Sequence, residues 1–144
     1  PQGKFVTANI IVRTDYLKEN PDVIKKLLEA HVNETLWINS QLSEISNDRS
    51  VGNNSKVSQV VNAFNNGLKQ ITGKTIPNDE IREALTRMTF TYDPLKQSLY
   101  KIADDANSLG LIHNTKDNKL NLTGIYDLAL LNKVLQEKGL KDIP

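Results

Sequence analysis

Only one stretch of this chain reads as a β-strand; Thr89 to Tyr92 alternates briefly and reads as an extended link, and the longer periodic patterns read as helix. Residues 5–12 hold Phe5, Val6, Thr7, Ile10, Ile11 and Val12, side chains that suit a pleated surface. The run Ile10-Ile11-Val12 implies burial on both faces, and Arg13 ends it. A strand needs partners for its backbone N–H and C=O groups. No second strand pattern follows in the 144 residues. The partner is therefore expected from the rest of a longer protein or from another molecule.

The helical patterns are strong and well punctuated. Thr14-Asp15 predicts a short helix, with Thr14 as N-cap and Asp15 at the positive helix end. Asn20-Pro21-Asp22 then restarts the chain, supplying a cap, a proline at the first helical position and an acidic first turn. Over about 21–40, Val23, Ile24, Leu27, Leu28, His31, Val32, Leu36 and Trp37 recur at three- and four-residue spacing, which is an amphipathic helix. Serine, asparagine and glycine crowd residues 41–55 and predict a surface loop. Ser55 caps the next helix, which runs to about Thr72 with Val57, Val60, Val61, Phe64, Leu68 and Ile71 inward, and Gly73 stops it. Further helices are expected over 77–88, 94–109 and about 126–138. The reading is mainly α, about five helices with one N-terminal strand.

Composition removes several function classes. Eighteen basic residues against 17 acidic ones leave a net charge of +1. That charge does not drive strong electrostatic binding to nucleic acid. With no cysteine, disulfide frameworks, thiol catalysis and cysteine-ligated zinc are out. No apolar run is long enough to span a bilayer. The opening Pro1-Gln2-Gly3, without methionine or a signal-like segment, is expected of a processed chain or of a piece of a longer one.

Candidate chemistry is sparse. His31 and Glu34 form His-x-x-Glu on one helix, but no third metal ligand accompanies them, so His31 reads as structural. His113 reads as an exposed loop residue. The string from Asp117 to Leu128 departs from a calcium loop at Lys119, Leu122 and Leu128. Glu80, Asp104 and Asp105 read as solvated or lysine-paired carboxylates rather than acid–base groups. Trp37, Phe64, Tyr92, Tyr100 and Tyr126 are candidates for a pocket lining, with core packing the favoured reading for Trp37. There is no phosphate-binding glycine loop and no nucleophile elbow. These observations point to no enzyme, no metal and no cofactor.

Several strings taken together resemble one family. They are Ala8-Asn9-Ile10-Ile11-Val12-Arg13-Thr14-Asp15-Tyr16-Leu17, then Asn20-Pro21-Asp22-Val23-Ile24-Lys25-Lys26-Leu27-Leu28-Glu29-Ala30-His31-Val32, Trp37-Ile38-Asn39, the Leu-Lys-Gln-Ile-Thr-Gly-Lys of 68–74, Phe90-Thr91-Tyr92-Asp93-Pro94 and Gly124-Ile125-Tyr126-Asp127-Leu128. In this order they resemble the C-terminal half of the substrate-binding proteins of ABC importers for aliphatic sulfonates, nitrate and taurine. The likeness covers nearly the whole chain apart from about 41–55.

The resemblance implies a two-lobed, type II periplasmic-binding-protein fold with α/β lobes and a ligand cleft between them. Residues 1–144 would be the C-terminal portion, with no independent second domain. Residues 5–13 would be the strand that rejoins the sheet of the first lobe, antiparallel to its neighbours, and the helices would complete that lobe. It also implies capture of a small anion such as an alkanesulfonate, taurine or nitrate, held by backbone N–H groups, helix N-termini and hydroxyls. Lobe closure would then present a surface to the ABC permease subunits. Most head-group contacts would come from the N-terminal half. Within this chain Thr7 and Asn9 are the expected ligand-binding residues, with sheet-edge hydrogen bonding as their other reading, and Lys4 would supply positive potential at the cleft mouth or stand as a solvated surface lysine. The expected location is extracytoplasmic, periplasmic or as a lipoprotein on a Gram-positive membrane.

Two alternatives stand beside this. A pyrimidine-precursor enzyme of thiamine synthesis shares the implied fold, but its histidine and cysteine chemistry has no counterpart here. A stand-alone helical interaction domain would have no use for a lone strand. Apolar surface left open in the isolated piece is expected to drive its self-association.

Overall fold

The computed structural model of the chain describes residues 5–43, 55–112 and 122–144. Six helices follow one another: α1 Thr14–Glu19, α2 Pro21–Leu42, α3 Ser55–Thr72, α4 Asn78–Leu85, α5 Lys96–Ser108 and α6 Ala129–Glu137. Among the described residues there is no strand. The fold is mainly α, as the helical periodicity predicts.

The expected strand over 5–13 is a correction. Residues 5–13 are irregular, and among the described residues no backbone hydrogen bond engages 5–12. Phe5 is 77% exposed and Ile11 91%. β-Propensity alone does not make a strand; a neighbouring chain segment must complete the ladder. No described segment does so.

The chain divides into two units. One takes in the residues up to Glu29 and from Asp93 onward, and the other is Ala30–Tyr92. In the Ala30–Tyr92 unit, α3 packs against α4. Val57, Val60 and Val61 on α3 meet Ile81 and Leu85 on α4 in a buried cluster, flanked by Trp37, Ile38, Leu42 and Phe90. The spacing of these residues is that of a helical stripe. Gly73 then takes φ 72°, the left-handed conformation that ends a helix and that glycine adopts without steric cost.

In the other unit the buried apolar residues are Ile24, Ala103, Leu131, Val134, Leu135 and Ile143. Lys25 of α2 pairs with Glu137 of α6 at 2.8 Å and with Glu29 at 3.3 Å. Two residues past the end of α6, Gly139 takes φ 68°, and the Leu140 N–H returns to the Leu135 C=O at 2.8 Å.

Helix ends depart from expectation for local reasons. Asn20 does stand at the N-cap position of α2, its C=O accepting the Ile24 N–H at 3.3 Å, but its side-chain Nδ2 turns back to the Tyr16 C=O at 3.3 Å and closes α1. α4 stops at Leu85, short of 88. The Thr86 and Arg87 N–H groups bond the Glu83 and Ala84 carbonyls at 3.2 and 2.9 Å, tightening the turn. α5 starts at Lys96 and not at Pro94. Asp93 Oδ1 accepts the Leu95 N–H at 2.8 Å, and Leu95 sits at φ 51°. The aspartate thus holds a turn in which a leucine occupies left-handed backbone.

Candidate functional site

Thr7 and Asn9 both lie in the irregular N-terminal segment and are exposed. Asn9 comes close enough to Tyr126 to oppose the upward shift of the tyrosine pKa. Burial is the main cause of that shift, and Tyr100 and Asp93 add to it. The Tyr126 hydroxyl is itself buried, yet no hydrogen bond of normal geometry reaches it. Tyr100 and Tyr126 stack at a tilt, with ring centroids 6.4 Å apart and planes at 58°. The structure therefore gathers Asn9, Tyr100 and Tyr126 in one place. Thr7 has no such neighbour among the described contacts.

Beside this segment lies an open groove of about 500 Å³. Ile11, Val12, Tyr16, Ile24 and Leu27 supply its apolar wall, and Arg13, Asp15 and Glu19 its charges. The Arg13 guanidinium pairs with the Asp15 carboxylate. That pairing, with the Tyr16 N–H as a second donor, holds the Asp15 carboxyl below its ordinary range. One guanidinium already matched to a carboxylate, with Glu19 beside it, leaves no excess positive charge among these lining residues. Thr7 and Asn9 lie outside this groove.

The other sequence candidates are dispersed. His31 is half-buried and Glu34 exposed, and among the described residues no cluster of three metal-ligating side chains occurs. Glu80 and Asp104 are exposed. Asp105 pairs with Lys101 at 2.8 Å, as the lysine-paired reading expects. Trp37 packs on the α3–α4 cluster, whereas Phe64 is exposed, so the five aromatics do not line one pocket. Lys4, His113 and residues 117–121 lie outside the described residues.

Two features had no marker in the sequence. The guanidinium of Arg82 reaches from α4 to Ser58 Oγ on α3 at 2.7 Å, while its Nη1 is buried without a hydrogen-bond partner. The orphan Tyr126 hydroxyl is the second. Both depend on which side chains meet across long sequence separations. No family model, curated protein or solved structure matches this chain.

Proposed function

We propose that this chain is the C-terminal portion of an extracytoplasmic solute-binding protein serving an ABC importer, taking an alkanesulfonate or a related small anion such as taurine or nitrate. The observation that carries this reading is the ordered run of sequence blocks, from Ala8 to Leu128, that resembles that family. The irregular segment 5–12 is consistent with it. Its backbone has no hydrogen-bond partner among the described residues and its large apolar side chains are exposed, as befits a segment completed by a sheet elsewhere. In this reading Thr7 and Asn9 contribute hydroxyl and amide groups to the cleft rim. Lobe closure couples capture to the permease, and the chain performs no catalysis.

The test is calorimetry with methanesulfonate, taurine and nitrate, on this chain and on the protein expressed from the whole reading frame. The expected result is micromolar binding by the longer protein and none by residues 1–144 alone. Micromolar binding by the 144-residue chain overturns the reading, as does a reading frame that encodes no further lobe. A stand-alone helical interaction domain is the second reading, favoured by one observation: every regular element among the described residues is a helix. A frame without a further lobe supports it.

A further inference from the structure

One side-chain device occurs in both units. On α3, Asn65 Nδ2 donates to the Ile76 C=O at 2.9 Å and its Oδ1 accepts the Ile76 N–H at 2.9 Å. On α6, Asn132 Nδ2 donates to the Ile143 C=O at 2.9 Å and its Oδ1 accepts the Ile143 N–H at 2.9 Å. In each case the isoleucine lies 11 residues after the asparagine, and a proline follows it. A carboxamide presents one acceptor and two donors in a plane. It can therefore satisfy both polar groups of one backbone residue, as a neighbouring strand would.

What the clamp holds differs. In the Ala30–Tyr92 unit it fixes the turn that leads into α4, and Asn65 Nδ2 also donates to Asn78 Oδ1 at 2.8 Å, at the first residue of that helix. In the other unit it fixes residues 140–144. Gln136 Nε2 on α6 donates to Asp142 Oδ2 at 2.8 Å. Lys96, the first residue of α5, donates from Nζ to the Pro144 C=O at 2.8 Å. The Ile143 side chain is buried. With the Leu140 N–H on the Leu135 C=O, the segment is thus tied to α6 through Asn132, Gln136 and Leu135, and to the start of α5 through Lys96.

We propose that residues 140–144 form a strap that locks the start of α5 to α6, with Asn132 as its latch, and that Asn65 and Ile76 are a second copy of the same clamp. Release of the latch frees the Ile143 backbone first and then loosens the first turn of α5, where the Ser98 and Leu99 N–H groups bond the Leu95 carbonyl.

Native-state amide exchange on the full 144-residue chain, followed by NMR, tests this. Asn132→Ala is expected to speed exchange at Ile143 about tenfold and to speed exchange at Ser98 and Leu99 with it. Lys96→Met is expected to speed Ser98 and Leu99 while Ile143 stays protected. Asn132→Asp keeps the acceptor for the Ile143 N–H and loses the donor. It is expected to give a smaller rise at Ile143, about threefold, and serves if the alanine variant does not fold. Asn65→Ala is expected to expose the Ile76 amide in the same way. Unchanged protection at Ile143 in the Asn132 variants overturns the latch. Unchanged protection at Ser98 and Leu99 in both the Asn132 and Lys96 variants overturns the strap. Unchanged protection at Ile76 in Asn65→Ala overturns the second copy.

Discussion

The Tyr126 hydroxyl is buried, and no hydrogen bond of normal geometry reaches it, although the Asn9 side chain lies nearby. A buried polar group left in that state costs about 1–3 kcal/mol, more than a typical net hydrogen bond returns. Tyr126→Phe removes the group and keeps the ring against Tyr100. Urea unfolding is expected to show the variant as stable as the parent or more stable by up to about 1 kcal/mol. A loss larger than that would mean the hydroxyl is paired in solution. The titration has a sign as well. Burial, and behind it Tyr100, raises the Tyr126 pKa above the ordinary 10.0. The folded state thus keeps this proton longer than the unfolded chain does. The contribution is present below pH 10.0 and is lost as pH rises through the raised value.

At the scale of elements, the Lys25–Glu137 pair joins α2 to α6 inside one unit. The hydrogen bond from Lys25 lowers the Glu137 pKa below 4.5. The same bond, with Glu29 helping, raises that of Lys25 above 10.5. The stability linked to the pair is therefore present between those two values. On the acid side it is lost as pH falls from 4.5 through the depressed Glu137 pKa. On the alkaline side it is lost as pH rises through the raised Lys25 pKa. Thermal unfolding against pH is expected to show the parent Tm falling more steeply than that of Glu137→Gln below about pH 4.5. Parallel curves would remove the pair from the account of how α2 and α6 are joined.

On the scale of the whole molecule, several large apolar side chains stand in water. Phe5, Ile11, Ile71, Leu109 and Leu111 are each exposed by more than 70%. Among the described residues no helix is long and apolar enough to cross a membrane. Exposed apolar side chains together with an unpaired backbone segment favour association. Light scattering is expected to show an average mass that rises with concentration, and Ile11→Asp is expected to reduce the rise. A monomer at every concentration would overturn this expectation.

Sequence alone determined the helices, because helix formation is a local matter. The stripe of Val57, Val60 and Val61, the Pro21 start and the Gly73 and Gly139 stops are all written within a few residues of the feature they control. The lysine partner of Asp105 was equally readable, being one helical turn away. Tertiary structure alone decided the rest. Residues 5–13 carry strand chemistry but are not a strand, because a ladder needs a second segment that the described residues do not supply. Ile71 and Phe64 lie on the α3 stripe yet are exposed, because a stripe marks a face and only a packed neighbour makes it a core. Asn65, Asn132 and Tyr126 look like ordinary polar residues in the sequence. What each one does is set by a backbone or ring that lies 11 or more positions away, and no local pattern encodes that distance.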